Sequence, residues 1–553
     1  MRVSNLISDK SLNLLYLVTL FSCINTFVTA DSNVEGLYKL DIIHYNDFHA
    51  RFEETSVQTP ICTFNNNSCL GGFPRLYQEI RTLLKEKPDS VVLNAGDTFQ
   101  GTYWYTLLKW NVTQEFMNMI PHDAHALGNH DFDDGPAGVV PYIAALKAPV
   151  LAANMDTSEE PSFEGLYEPH IIVNRKGRRI GIIGLITVDT KDLGDPGKVK
   201  FTDPIAATRR EAQALHEQGV DIIILLSHCG LDVDKEIARE VGEHIDIIIG
   251  GHSHSLLWNG PSPSGEVVRG PYPIIIESSE DKKHQVLIVQ ASAFTKYMGN
   301  LSVYFDTKGD YRKWEGGPLF LDRSIPEDAE IKAKLEPYAK LVHEAENESV
   351  GESLHDMLKE DCAFGECNVG DLLVAVLDDA VKSVVGDRPN CLSFISRPTI
   401  QSSIHQGVVT KGTIFKMLPY NDRIKMFQIK GNVVREALEH SVSEATGYHP
   451  FQGPWLLQVS GLQVTYNVSL PEGQRITSVN IGVKGSNNPL DDDQIYTVAA
   501  PSFLADGGDG YQMFKPAKQN VSIIGRLEGL VETYISQHSP LDIKTDGRII
   551  INN

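Results

Sequence analysis

Between residues 39 and 292 apolar, β-branched runs repeatedly end in polar residues, and helix-like segments lie between them. The runs cover residues 40–45, 90–93, 150–153, 180–186, 220–226 and 245–249. Continuous apolar runs of this length read as strands buried on both faces, as in sheets flanked by helices. Segments 73–87 and 204–218 show the helical spacing that such a covering layer needs. Residues 326–349 turn Lys/Glu/Ala-rich with helical periodicity and read as a polar helix joining two domains. Residues 350–553 then have apolar segments and turn chemistry of their own. Their most glycine-rich loop is Ala505-Asp506-Gly507-Gly508-Asp509-Gly510, which by itself reads as a wide turn. Four parts are therefore expected: residues 1–30, 31–325, 326–349 and 350–553.

Composition narrows the function classes. At 553 residues the chain exceeds one ordinary core, and 42% hydrophobic with 22% charged residues is typical of a soluble globular protein. A formal charge of −23 argues against a nucleic-acid-binding or anionic-membrane surface. An anionic substrate would need a local positive centre such as a metal ion. Arg2 and Lys10 precede an apolar run over residues 12–27, and Val28-Thr29-Ala30 places small residues where a signal peptidase cuts. A mature, secreted chain beginning near Asp31 is expected, with no later span and no C-terminal lipid-anchor tail. Asn-x-Ser/Thr sequons at Asn66, Asn111, Asn300, Asn347, Asn467 and Asn520 suit a secreted glycoprotein. Cys62 with Cys69, and Cys362 with Cys367, bracket short polar loops and read as two local disulfides. Cys229 and Cys391 lie in strand-like contexts and read as reduced.

The polar residues at the end of each apolar run carry the chemistry. Asn46-Asp47-Phe48-His49 ends the first, Asn94-Ala95-Gly96-Asp97 the second, Ser227-His228 the run at 220–226, and Gly250-Gly251-His252-Ser253-His254 the run at 245–249. A fifth cluster, Gly128-Asn129-His130-Asp131-Phe132-Asp133, comes after the short segment 123–127. In α/β sheets ligands bind beyond the carboxyl ends of strands, so these clusters are expected to converge. Asn129 and Asp131 alone could cap a local loop. Asp47, His49, Asp97, Asn129, His228, His252 and His254 together outnumber the ligands of one tetrahedral ion. Two divalent ions bridged by a carboxylate would use them all, and such pairs clamp phosphoryl oxygens.

Asp47-x-His49, Gly96-Asp97, Gly128-Asn129-His130-Asp131, His228 and Gly251-His252-Ser253-His254, in this order, resemble the calcineurin-like metallophosphoesterases. Phe503-Leu504-Ala505-Asp506-Gly507-Gly508-Asp509-Gly510 extends the resemblance to the two-domain 5′-nucleotidase family. His49-Ala50-Arg51-Phe52-Glu53-Glu54 and Phe99-Gln100-Gly101-Thr102-Tyr103-Trp104-Tyr105 look most like the salivary apyrases of blood-feeding arthropods. The resemblance implies an α/β fold: a four-layer metallophosphoesterase β-sandwich flanked by helices (31–325), linked by a helix (326–349) to a second α/β nucleotide-binding domain (350–553). It also implies two divalent ions (Zn, Ca, Mg or Mn). One would be held by Asp47, His49, Asp97 and His254, the other by Asp97, Asn129, His228 and His252. His130 and Asp133 resemble the catalytic pair. Tyr420 and Phe503 match the aromatic positions that stack the base, and Asp509 matches the ribose-binding carboxylate.

The family's phosphate-binding arginines are absent. Ala363 stands at one such position and Gln401 at the other, with Ser396 in place of the family's Asn. Each lost charge-assisted bond is expected to cost about 1.5–3 kcal/mol of binding. The first function expected is secreted, metal-dependent hydrolysis of ATP, ADP or AMP that limits platelet aggregation. The second is a binding protein on the same scaffold, either a nucleotide scavenger or a platelet-integrin antagonist acting through Lys308-Gly309-Asp310, which also reads as a plain β-turn.

Overall fold

The computed structural model describes residues 36–57, 62, 69–279, 281, 284–386, 390–420, 422–443, 453–482 and 485–552. The expected signal segment and the sequon at Asn66 lie outside them. The first part of the chain builds two six-stranded sheets. One runs in the order Tyr311–Phe320, Tyr297–Phe305, Tyr38–Tyr45, Val91–Asn94, Ala124–Ala126, Val150–Leu151. The other runs Ile274–Glu277, Gln285–Val289, Ile247–Gly250, Ile222–His228, Arg178–Ile186, His170–Arg175.

Side-chain alternation fixes how these layers stack. Leu40 and Ile42 point into a core shared with Ile182, Ile224 and Ile248 of the other sheet. Ile43 and Tyr45 point the opposite way, onto Phe73, Leu76 and Phe116 of the helices Phe73–Glu86 and Tyr103–Met117. Helices Pro204–Glu217 and Leu231–Glu240 cover the second sheet through Ala212, Leu215 and Ile237. The result is a four-layer helix–sheet–sheet–helix sandwich, whose central strands are buried on both faces as their apolar runs require.

Helix Ala329–Glu346 is capped by Asp328, whose Oδ1 accepts from the backbone N–H of Glu330 and Ile331, both at 3.0 Å. It buries Ile331, Leu335 and Val342 in the core that also contains Phe73 and Phe116. The joining helix is therefore docked along the first lobe. Beyond it, a five-stranded sheet runs Leu457–Ser460, Cys391–Ser396, Ile495–Pro501, Arg423–Lys430, Gln519–Arg526. Helices Asn368–Val385 and Leu527–His538 cover one face, and Gly431–Ser441 covers the other. Disulfides join Cys62 to Cys69 and Cys362 to Cys367, and Cys229 and Cys391 take part in neither.

The two lobes meet directly. Tyr103 packs edge-on against Phe415 at 5.7 Å, and Arg423 pairs with Asp195 at 3.2 Å. Arg526 donates to the backbone carbonyl of Asp133. These contacts bring the tip of the second lobe's sheet over the strand ends of the first.

Candidate active site

All five polar clusters reach one place. The ligand atoms of Asp47, His49, Asp97 and His254 form one group, and those of Asp97, His228 and His252 a second, the atoms of each group lying within 4.8 Å of one another. Asp97 is common to both. His49 Nε2 lies 3.6 Å from Asp97 Oδ2, His254 Nε2 3.2 Å from Asp47 Oδ1, and His228 Nε2 3.1 Å from Asp97 Oδ2. All of these side chains are buried except those of His252 and His254, which are half-buried.

The backbone is bent to achieve this. Asp47, His49, Asp97, His252 and His254 hold φ of 50°, 47°, 51°, 70° and 49°. Left-handed conformations at non-glycine residues are costly and persist where surrounding structure enforces them, typically at functional sites. Glycines permit the close approach: a Cβ on Gly128 would stand 2.0 Å from Asp97 Oδ1. Carbonyls then fix the imidazoles. His228 Nδ1 lies 2.7 Å from Ala95 O and His49 Nδ1 3.1 Å from Phe99 O, which turns each Nε2 toward the centre.

The donor set fits divalent ions. Among the described residues Asn129 Oδ1 is buried without a hydrogen-bond partner, an expensive arrangement unless a cation completes it. Burial opposes ionisation of Asp97, yet the imidazoles of His228, His130 and His49 hold its carboxyl well below the usual range. The same balance holds Asp47 low, with His254 and His228 outweighing burial. Two buried carboxylates thus sit where positive charge is required. Imidazole, carboxylate and amide oxygen suit borderline or hard ions.

Asp131 has a different job. Its Oδ2 accepts from Gly128 N at 2.8 Å and its Oδ1 from Thr98 N and Phe99 N at 3.0 and 3.1 Å. It staples its own loop to the Asp97 loop, which leaves Asn129 and His130 to face the centre. His130 Nδ1 lies 2.9 Å from Asp133 Oδ2, and His130 N donates to Asp97 Oδ1 at 2.9 Å. Burial works against charge on His130, but Asp133 and Asp97 outweigh it and push the imidazole up to about 10.

A cleft of about 370 Å³ joins this centre to the second lobe. Asp97, Asn129, His130, His252 and His254 line one side, and Tyr420, Asp422, Phe503 and Asp509 the other. Tyr420 stacks near His130 with ring centres 6.5 Å apart, and Asp509 Oδ2 accepts from Ser396 Oγ at 2.7 Å. Phe503 and Tyr420 are unusually open for aromatics, at 46% and 38% exposure. Among the described residues no Lys or Arg lines this cleft. Gln401 Nε2 turns back to donate to Pro398 O at 2.5 Å, and Ala363 is buried.

Sequence reasoning missed several supporting groups. Asn46 orients Asp47 by donating to its Oδ2 at 2.6 Å. Phe294 packs on His49 and His254 at 5.3 and 4.9 Å, and the buried Arg51 guanidinium sits 4.4 Å above its ring. Asp422, pushed up to about 7 by burial, faces His130 and Asp133 from the other lobe. Only Asn46, adjacent to Asp47, carried a local signal; the others depend on long-range packing. Lys308-Gly309-Asp310 is an ordinary turn, with Gly309 buried against Asp221 and Asp310 paired to Arg312 at 2.9 Å.

A two-lobed α/β protein with a buried His/Asp/Asn centre at its strand ends belongs to the metallophosphoesterase class. Residues 40–256 match the calcineurin-like phosphoesterase family model, and residues 346–516 match the 5′-nucleotidase C-terminal domain. The chain is 39% identical to an apyrase of Tabanus yao over 93% of this chain and 94% of that protein. It is 35% identical to a snake venom 5′-nucleotidase of Crotalus adamanteus, covering 95% and 91%. Among solved structures, a 5′-nucleotidase precursor from Thermus thermophilus superimposes with a TM-score of 0.72 at 30% identity, covering 93% of this chain and 100% of that one. The chain therefore belongs to the 5′-nucleotidase/apyrase family.

Proposed function

We propose that the protein is a secreted phosphohydrolase of extracellular nucleotides, acting on ATP, ADP or AMP at a centre for two divalent ions. The observation that carries this is the shared carboxylate: Asp97 belongs to both ligand groups, beside an unpartnered Asn129 Oδ1 and at the floor of a cleft with two open aromatics. Asp47, His49, Asp97 and His254 would hold one ion, and Asp97, Asn129, His228 and His252 the other. Bound there, the ions supply Lewis-acid polarisation of phosphoryl oxygens and activation of water.

The chain's own groups do the rest. His130 gives its Nδ1–H to Asp133, which leaves the Nε2–H for the phosphoryl or leaving oxygen. Asp133, held against Nδ1 at 2.9 Å, favours the protonated imidazole. Tyr420 and Phe503 offer apolar faces for a planar base, and Asp509 can accept from ribose hydroxyls. With no guanidinium among the described residues that line the cleft, phosphate recognition falls on the metal side, so weak binding of nucleotides in the absence of metal is expected.

Apyrases and 5′-nucleotidases among the relatives support the substrate class, and the N-terminal signal segment supports secretion. Among the described residues no helix is long and apolar enough to cross a membrane. Hydrolysis of ADP would give the protein a role in limiting platelet aggregation. The absence of Lys and Arg among the described residues lining the cleft favours a second reading, nucleotide binding without turnover. Phosphate release from ATP, ADP and AMP with calcium, magnesium or zinc decides between them: hydrolysis that is lost in Asp97→Ala supports the enzyme, and binding without release from any nucleotide refutes it.

A further inference from the structure

Among the described residues strand Gln519–Arg526 forms one open edge of the second lobe's sheet, paired only with Arg423–Lys430. Residues 519–523 are all exposed, with Val521 at 45% and Ile523 at 54%. Residues 519–525 read Gln-Asn-Val-Ser-Ile-Ile-Gly, without a single charge. Another long edge is protected differently: Tyr311–Phe320 carries Arg312, Lys313 and Glu315 along its length. A long, uncharged, β-branched edge invites pairing with a second chain unless something blocks it.

One residue on this edge is exposed and modifiable. Asn520-Val521-Ser522 is a sequon, and Asn520 sits at a bulge where Gln519 opposes Gln428 but Ser522 opposes Met426. Its φ of 51° lifts it out of regular pairing. Asn300 and Asn467 are half-buried; Asn300 Oδ1 accepts from Lys87 at 2.8 Å and Asn467 Oδ1 from its own sequon Ser469 at 2.6 Å. Asn520 Nδ2 donates to Gln428 Oε1 at 2.6 Å and carries a second N–H that this bond leaves unused.

We propose that Asn520 carries an N-linked glycan that caps this edge and keeps the chain from self-associating through it. This rests on the secretion reading. The donor is a lipid-diphosphate-linked oligosaccharide. One Nδ2–H bond is replaced by a bond from Nδ2 to the anomeric carbon, the lipid diphosphate leaves, and the proton is released. The remaining N–H keeps the bond to Gln428.

The test uses the full chain secreted from eukaryotic cells. Glycopeptide mass spectrometry reads occupancy at Asn520 and at the exposed sequons Asn111 and Asn347, while sedimentation reads association. Ser522→Ala removes the sequon but keeps Asn520 in its bulge, and its hydroxyl lies 3.5 Å from Met426 O, too long to be important for folding. The expected result is an occupied Asn520, a monomeric parent, and a roughly tenfold or greater rise in self-association of Ser522→Ala that Val521→Lys in the same chain reverses. A bare Asn520 beside occupied Asn111 or Asn347 overturns the proposal alone. A chain bare at every sequon overturns the secretion reading with it. An occupied Asn520 whose loss leaves the chain monomeric overturns the capping role.

Discussion

Gly128→Ala adds one methyl group where the fold has no room for it. The new Cβ would stand 2.0 Å from Asp97 Oδ1 and 2.4 Å from Asp97 N, against about 3.4 Å for ordinary contact. The Gly128 and Asp97 loops must therefore part by roughly 1.4 Å, and Asp131, bonded to both, resists that movement. Overpacking of this kind costs about 1–3 kcal/mol of stability. The larger effect falls on the site, because Asp97 is the carboxylate shared by both ligand groups. A displacement of about 1 Å at a reacting centre costs on the order of 100-fold in rate. Phosphate release, metal content by elemental analysis and thermal unfolding should be measured on the same preparation. The expected variant is folded, binds less than the parent's complement of metal and turns over about 100-fold more slowly. Gly529→Ala is the control: it lies in helix Leu527–His538 with nothing within 4 Å of the added Cβ, and should gain about 0.4–1 kcal/mol without change in rate. A Gly128→Ala protein with the parent's metal content and turnover would refute the reasoning.

Three further outcomes are expected. His130→Ala should lower turnover by about 100- to 10,000-fold while leaving metal content unchanged, and Asp133→Asn should fall between it and the parent; metal loss in His130→Ala would make that residue a ligand instead. Gln401→Arg should lower the KM for AMP by about ten-fold or more by returning a guanidinium to the cleft, and an unchanged KM would show that position 401 does not reach the phosphate. Asp234 is pushed up to about 7 by burial, with Ser227 and His228 opposing. A carboxyl raised on folding binds its proton more tightly in the folded state, so its contribution is complete below about pH 4 and is lost as pH rises through 7. The thermal midpoint of Asp234→Asn should therefore fall less than the parent's between pH 5 and pH 8, and parallel curves would contradict the assignment.

The strand ends were legible because the chemistry there is local. Runs at 40–45, 180–186 and 245–249 became Tyr38–Tyr45, Arg178–Ile186 and Ile247–Gly250, since strands buried on both faces leave no choice but continuous apolar sequence. Six of the seven proposed ligand residues fall in the two groups that share Asp97, and Asn129 lines the same cleft, because each stands at or shortly beyond the end of a strand or short apolar segment. Half-exposed strands left weaker marks. Tyr311–Phe320 mixes exposed and half-buried positions and carries five charged or glycine residues among its ten, so no apolar run announces it. The docking of Ala329–Glu346 was hidden because only Ile331, Leu335 and Val342 are fully buried on a helix rich in Lys and Glu. Asp131 looked like its neighbours in the sequence, yet its three backbone partners include two from a loop more than 30 residues away. Arg51 over Phe294 is the extreme case, the two standing 243 positions apart. Side chains that act at a strand's end can be read from sequence; those that support them from across the fold cannot.

The central claim is a two-ion centre that hydrolyses nucleotides, and one titration tests it most directly. Metal-free protein should be loaded stepwise with a divalent ion while bound metal per chain and phosphate release from ADP are monitored together. Binding should saturate at two ions per chain, release should require them, and Asn129→Ala should lose one ion. Saturation at two ions with no release from ATP, ADP or AMP, or release undiminished by a chelator, would contradict the central claim.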